Sequence, residues 1–513
     1  MSASATAVPM TPFDRRMATA VVMLATTLQA LDNTIANVAL PRMQGSLSAS
    51  QEQTMWVLTS YIVAAAVMTP LSGWLAGRFG RRNLVLASVA TFTVASMLCG
   101  LAQSVSQIVL FRFLQGASGA ALVPMSQAVL FDINPPERHG KAMSIWGLGV
   151  VIGPMLGPII GGWLTDNYSW RWVFYINLPL GVLAFMGVLA YLPDGSSRRS
   201  RFDFQGFALM VVAISALQLM LDRGPTLDWF GSTEICIEAV AAGLAFYLFV
   251  VHCATSEDPF IHPALFRDRN FLTGNIVIFA VGTLLFATMA LLPSLLQTLM
   301  AYPATHAGWL TAPRSIGSLV AMLAVGSLLG RFDVRLIIGA GFLLTAASLW
   351  QMTQFSLLMD GRLLVWSGLM QGLGISIVYV PLATITFATL PHEFRNEAAA
   401  QFSLTRNIGS SVGISIVQAL LTSNIQRMHS SLAAHITPYN LDARDPALAT
   451  QLASHSAAVA LNGEVTRQAG MIAYIDDFKL MMIVALLAIP LLLLVRVPKR
   501  RPSAAEEIPV VVE

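Results

Sequence analysis

Residues 17–40 read MATAVVMLATTLQALDNTIANVAL, an apolar run broken by a single ionisable side chain, Asp32. At 1.5 Å per residue a helix of this length crosses a hydrocarbon core of about 30 Å. The run follows Arg15-Arg16 and carries no A-x-A cleavage pattern, so it is expected to remain as a first membrane span rather than leave as a signal peptide. Comparable stretches recur along nearly all of the 513 residues, of which 55% are hydrophobic and 11% charged. The mean hydropathy is +0.67. Soluble domains carry about a quarter charged residues, so the composition excludes an ordinary soluble enzyme and predicts an all-α polytopic membrane protein.

Working outward from the first run, spans are expected at 17–40, 53–74, 84–103, 107–131, 141–164, 170–192, 204–222, 233–252, 271–293, 306–329, 334–356, 362–390, 397–422 and 478–497. The loop charges test this count independently. Of 30 Lys and Arg residues, 19 fall on the side of the two termini, 8 on the other side, and 3 (Arg112, Arg314 and Arg406) within spans. The positive-inside rule therefore predicts both termini in the cytoplasm. Omitting one span would invert every later loop. The pair 204–222 and 233–252 is joined by a loop carrying Asp222, Arg223, Asp228 and Glu234, which leaves open a pair of amphipathic segments lying on the membrane surface. The interval 423–477 is a long polar outer loop.

A weak internal repeat is present. Arg112-Phe-Leu-Gln115-Gly116, with Pro124, is echoed by Gly368-Leu-Met-Gln371-Gly372, with Pro381. The fourth and twelfth spans thus read as equivalent helices, as in transporters whose halves rock about a central site. The counterpart of Arg112 is a glycine, so the halves differ chemically.

A charge at mid-membrane is a functional-site hypothesis by default. Asp32 and Arg112 stand at similar depths, and a pair between them would serve proton coupling, a static ion pair being the alternative. Gln29, Asp32, Asn33, Ala36 and Asn37 follow helical spacing and give the first span one polar face. That face is expected to line a wet cavity, or, for Asn33 and Asn37, to hydrogen-bond neighbouring spans. Gly149, Gly153, Gly157 and Gly161 form a stripe interleaved with Pro154 and Pro158, the pattern of a bent, closely packed helix. Gly73, Gly77, Arg78, Gly80, Arg81 and Arg82 make a basic turn between spans 2 and 3. Gln115, Met125, Trp146, Gln297 and Tyr379 are candidates for a cavity wall, with simple packing the alternative for each.

Other chemistry is missing from the pattern. No G-x-x-x-x-G-K-[ST] loop for ATP phosphates occurs, nor a zinc-ligand cluster, a catalytic triad or a nucleic-acid-binding module, and no cofactor is implied. Cys99, Cys236 and Cys253 make no disulfide framework.

Together these segments resemble the major facilitator superfamily, specifically its fourteen-span drug:proton antiporter branch and most closely the EmrB-type multidrug exporters. The resemblance rests on Leu31-Asp32-Asn33-Thr34-Ile35-Ala36-Asn37 through Pro41, Arg112 to Gly116, the span-5 glycine–proline stripe, and Trp170-Arg-Trp172-Val-Phe174-Tyr-Ile-Asn177-Leu-Pro179. Leu221-Asp222-Arg223-Gly224 and Asp228-Trp229-Phe230 add to it. It implies two six-helix bundles, 17–192 and 271–497, joined through 193–270 by two extra helices, with cytoplasmic tails 1–16 and 498–513. It further implies a bacterial inner-membrane location and export of hydrophobic or amphiphilic drugs against protons. Asp32 and Arg112 would lie in the coupling region, and a periplasmic membrane-fusion adaptor and an outer-membrane channel would be the partners, with 423–477 as docking surface. One departure stands out: the family usually has Asp where this chain has Gly77, which puts the cytoplasmic charge latch in question. Export of one endogenous metabolite or siderophore, or a non-transporting receptor role, fits the same residues.

Overall fold

The computed structural model describes residues 10–49, 51–135, 138–193, 202–225, 227–257, 259–329, 331–391, 394–435 and 455–496. Residues 1–9 of the expected N-terminal tail, all of the expected C-terminal tail 498–513 and the stretch 436–454 lie outside them. Among the described residues the regular structure is helical throughout, which is what a lipid solvent demands, since each backbone N–H and C=O must be satisfied within its own segment.

The first helix, α1 (Pro12–Ser46), begins where Thr11 Oγ1 accepts the Asp14 N–H at 3.1 Å and Pro12 opens the first turn. It is followed by α2 (Gln51–Phe79), α3 (Arg81–Leu101), α4 (Val105–Gly119), α5 (Leu122–Ile133), α6 (His139–Asn167), α7 (Trp172–Tyr175) and α8 (Asn177–Tyr191). Helices α4 and α5 are one span broken at Ala120 and Ala121, because Pro124 has no N–H to return to the Ala120 carbonyl. Next come α9 (Phe204–Arg223), α10 (Thr233–Thr255), the short α11 (Ala264–Arg267), α12 (Arg269–Ser294), α13 (Ala304–Thr311) and α14 (Pro313–Leu328). The chain closes with α15 (Val334–Met352), α16 (Gly361–Phe387), α17 (Arg395–Ala434) and α18 (His455–Leu491).

Thirteen of these helical stretches are long and apolar enough to cross a membrane. The fourteenth is α1, long enough at 35 residues but less apolar, because it carries Gln29, Asp32, Asn33 and Asn37. Helices α9 and α10 both qualify as spans, which disfavours the surface-lying alternative. Their charges are met locally: Asp222 accepts from Thr59 of α2, and Arg223 pairs with Glu234.

The repeat in sequence reappears as a repeat in packing. The pairs α1–α6, α2–α4, α3–α4, α1–α8 and α3–α8 recur as α12–α17, α14–α16, α15–α16, α12–α18 and α15–α18. Even one hydrogen bond is made twice: Thr27 Oγ1 donates to the Gly149 carbonyl at 3.1 Å, and Thr283 Oγ1 to the Gly409 carbonyl at 2.9 Å. Contacts α2–α17 and α6–α14 join the two bundles, and α9 and α10 pack on each other, with α9 also against α2 and α17.

Two boundaries differ from expectation. The helix that carries the last span begins at His455 rather than at 478, and the expected loop 423–477 is helical over 423–434 and 455–477. The Asp476-Asp477 dipeptide reads as a polar boundary in sequence, yet the Ala-rich stretch before it is helix-forming. Its charges pair within the helix, Glu464 accepting from Arg467 Nε at 2.8 Å and Gln468 Nε2 at 2.8 Å.

Between α2 and α3 the chain turns at Gly80, whose φ of 84° and ψ of 148° lie in a region that is essentially glycine-only. Gly80→Ala is therefore expected to destabilise the protein by about 1–3 kcal/mol, read as a lowered melting temperature in detergent. An unchanged melt would show that the turn relaxes freely.

Candidate functional site

Asp32 lies near the middle of α1, fully buried, and three donors from two other helices converge on it. Arg112 Nη1 donates to Asp32 Oδ2 at 2.7 Å, while Gln115 Nε2 and Asn177 Nδ2 each donate to Oδ1 at 2.8 Å. Arg112 Nη1 also reaches Gln115 Oε1 at 2.8 Å, and its Nε donates to the Val57 carbonyl at 3.2 Å. The guanidinium carbon sits 4.2 Å from the centre of the Tyr61 ring, a cation–π contact strengthened by the dry surroundings. The second amide proton of Asn177 goes to Ser96 Oγ at 2.9 Å, and Ser96 donates to the Phe174 carbonyl at 2.9 Å. Arg112 is 1% exposed, Gln115 and Asn177 not at all. Every group aimed at the carboxylate is a donor, so the set matches the charged form, and in a low-dielectric site charge-assisted bonds of this kind are the strong ones.

Local sequence explains how the helices bring these groups together. The glycine stripe of α6 lies along α1: a Cβ at Gly153 would stand 2.7 Å from the Leu31 backbone N, and one at Gly157 2.1 Å from Thr34 Oγ1. With Gly149 and Gly161 placed likewise against Met23 and Ile35, α6 touches α1 on the turns either side of Asp32. The helix continues unbroken through Pro154 and Pro158.

The polar face of α1 divides. Its residues span about 140° of the helix surface, and α4 and α8 bury only the Asp32 edge. Asp32 and Ala36 are buried, Gln29 is half-buried, and Asn33 and Asn37 are exposed.

A second cluster joins the bundles. Trp146 and Tyr379 stack with centroids 6.3 Å apart, Trp146 Nε1 donating to Thr26 Oγ1 at 2.8 Å. Gln127 Nε2 and Arg406 Nη1 donate to the Tyr379 hydroxyl at 3.0 and 3.2 Å. Met125 is fully buried, whereas Gln297 is exposed in the π-turn after Pro293. Arg314 donates to the Leu285 carbonyl at 2.9 Å, a backbone-satisfying role for one of the two arginines left open by sequence.

The basic turn is held by a latch that Gly77 does not supply. Arg81 pairs with Asp132 at the end of α5, Arg395 of α17 reaches the same carboxylate at 3.6 Å, and Arg81 Nε donates to Asn396 Oδ1 at 2.5 Å. A Cβ on Gly73 would meet the Glu397 backbone at 3.1 Å, while nothing lies within 4 Å of one on Gly77; Arg78 is exposed. This arginine-rich end of the molecule is thus closed, through side chains of both bundles.

Sequence reading paired Asp32 with Arg112 by depth but did not assign Asn177, Ser96, Tyr61, Gln127 or Asp132. Asn177 had a signal, an amide at the head of an apolar span. Asp132 had none beyond its place at a helix end.

Comparison with known proteins agrees with this architecture. Residues 22–414 match the family model described as Major Facilitator Superfamily. The chain is 38% identical over 429 residues to the multidrug export protein EmrB of Escherichia coli (strain K12), covering 83% of this chain and 84% of that one. It is 36% identical over 483 residues to the fatty acid resistance protein FarB of Neisseria gonorrhoeae, covering 93% and 95%. The crystal structure of the human organic anion transporter MFSD10 (TETRAN) aligns with a TM-score of 0.63 at 14% identity, covering 94% of this chain and 100% of that one, which speaks to fold alone. A repeated bundle of about fourteen spans, a family match across most of the chain and export proteins as relatives converge: the protein is a membrane transporter of the major facilitator superfamily, of the EmrB type, and not an enzyme.

Proposed function

We propose that the protein is a proton-driven multidrug exporter of the bacterial inner membrane, moving hydrophobic or amphiphilic compounds outward as protons move in. The observation that carries this reading is the Asp32 network, a carboxylate sealed from solvent and saturated by Arg112, Gln115 and Asn177. A buried ion pair contributes little net stability compared with an apolar replacement, so its presence suits a role in coupling. Proton binding at Asp32 removes the charge that orders Arg112, which biases α1 against α4 and α8. Bundles 17–192 and 271–497 are the moving halves, and the latch Arg81–Asp132–Arg395 closes the cytoplasmic end when the site faces outward. Gln29, Asn33 and Asn37, with the Trp146–Tyr379 cluster as floor, line the path for substrate.

Assembly with a periplasmic adaptor and an outer-membrane channel is supported by helix length. At 40 and 37 residues, α17 and α18 measure about 60 and 55 Å against a core of about 30 Å. They are tied to each other where His429 meets Asn462 at 2.9 Å, toward the end away from the arginine-rich loops. This projecting helical pair is the docking surface.

Inverted membrane vesicles with an acidified lumen test the reading. Addition of a lipophilic cationic dye is expected to release protons and fill the lumen with dye, and a protonophore is expected to abolish both. Dye accumulation that survives collapse of the gradient would overturn it.

A further inference from the structure

Beyond the Asp32 network, the second bundle buries another carboxyl, on α18. Asp477 is 1% exposed, and neither of its oxygens has a hydrogen-bond partner among the described residues. It stands near the middle of α18, at the start of the apolar run that ends at Val495. The nearby cation is already used, Lys479 Nζ bonding Asp476 at 3.1 Å.

Its surroundings follow from its neighbours on the helix. One turn before it, the Tyr474 hydroxyl donates to Ser294 Oγ of α12 at 2.9 Å. One turn after it, Met481 Sδ lies 3.7 Å from Thr288 Oγ1, also on α12. Asp477 therefore faces α12 at the level of the buried Leu291 and Leu292, while Phe478 beside it packs on Phe355 at 5.8 Å. No other charged group of the packed helices faces this layer among the described residues. Arg269 of α12 and Arg335 of α15 sit in their first turns. On α17, Arg395 and Glu397 lie at the arginine-rich end, Arg406 bonds Tyr379, and Arg427 and His429 lie toward the opposite end.

The internal repeat gives this isolation a meaning. The interval from Asp32 to Thr288 equals that from Gln115 to Gln371 and from Arg112 to Gly368. The Gln115–Asp32 bond has its counterpart in Gln371 Nε2 donating to Thr288 Oγ1 at 2.9 Å. In the second bundle the acid has left the first helix of the repeat and the arginine is gone. An acid stands instead on α18, one turn from Met481, the residue that contacts Thr288 much as Asn177 contacts Asp32. In the same region Gln371 Oε1 is buried and unpartnered, an acceptor without a donor. A carboxylate buried without a partner is strongly disfavoured, whereas a neutral carboxylic acid brings a proton that can be donated.

We propose that Asp477 is a second proton-carrying group of the transporter, holding its proton in the closed arrangement seen here and releasing it to water when α18 and α12 part. This rests on the proton-antiport reading, and the experiment separates the two. Full-length protein in liposomes is treated at neutral pH with a hydrophobic carbodiimide, which adds to protonated carboxyls in apolar surroundings, and the adduct is located by mass spectrometry. The label is expected on Asp477, not on the exposed Asp476, and to disappear in Asp477→Asn. In the dye assay Asp477→Asn is expected to keep dye transport while releasing one proton fewer for each dye molecule. An unlabelled Asp477 in the wild type, which needs no variant to fold, would overturn the proposal. So would an unchanged ratio of protons to dye in Asp477→Asn. Failure of the antiport reading itself appears elsewhere, as dye transport by the wild type without any proton release.

Discussion

Asp32→Asn is expected to yield a folded protein that releases no protons on addition of dye and accumulates none above empty vesicles. The substitution preserves shape, and the Asn carbonyl can still accept one of the bonds offered by Arg112, Gln115 and Asn177. What it removes is the group that can alternate between charged and neutral forms. Coupling requires that alternation, because only a change of charge at Asp32 alters how strongly Arg112 holds α4 to α1. Dye-driven proton release that continues unchanged in Asp32→Asn would sink the assignment and leave the pair as a static strut.

Arg112→Ala acts on the other side of the pair and is expected to be the more damaging to the fold. Removing one partner of a buried ion pair leaves an uncompensated charge, at a cost of about 3–5 kcal/mol. It also strips the Tyr61 ring and the Val57 carbonyl of their contacts. A steep drop in melting temperature in detergent is the expected readout. The double variant Asp32→Asn with Arg112→Met removes both charges and is expected to recover most of the stability while transporting nothing. That contrast decides between the two readings of the pair, since a purely structural pair predicts that function returns together with stability.

Much of this was legible in the chain itself. Hydropathy and loop charges mark some fourteen spans because a hydrocarbon core of fixed thickness imposes a length, and because the cost of burying a charge keeps arginines in loops. Asp32 and Arg112 stood out for the same reason, and the step along each helix was enough to set them at one depth. The glycine stripe of α6 announced a close helix contact, since only residues without a Cβ let the Leu31 backbone approach so nearly.

Other features were decided only by how the helices are rotated and paired. Lipid and a neighbouring helix are equally apolar, so hydropathy cannot say which side of α8 turns inward, and Asn177 and Ser96 joined Asp32 only once α8 and α3 were seen against α1. Loop sequence alone did not reveal that Asp132, from another helix, would stand where Gly77 leaves the latch without an acid, because that depends on the two bundles meeting at one end. The same holds for Asp477, which reads as the edge of a loop until α18 is extended through it. The sequence by itself determined the solvent, the number of crossings and the first buried acid, all consequences of transfer energies that act residue by residue. The tertiary structure decided what each buried polar group faces, because that energy exists only between helices.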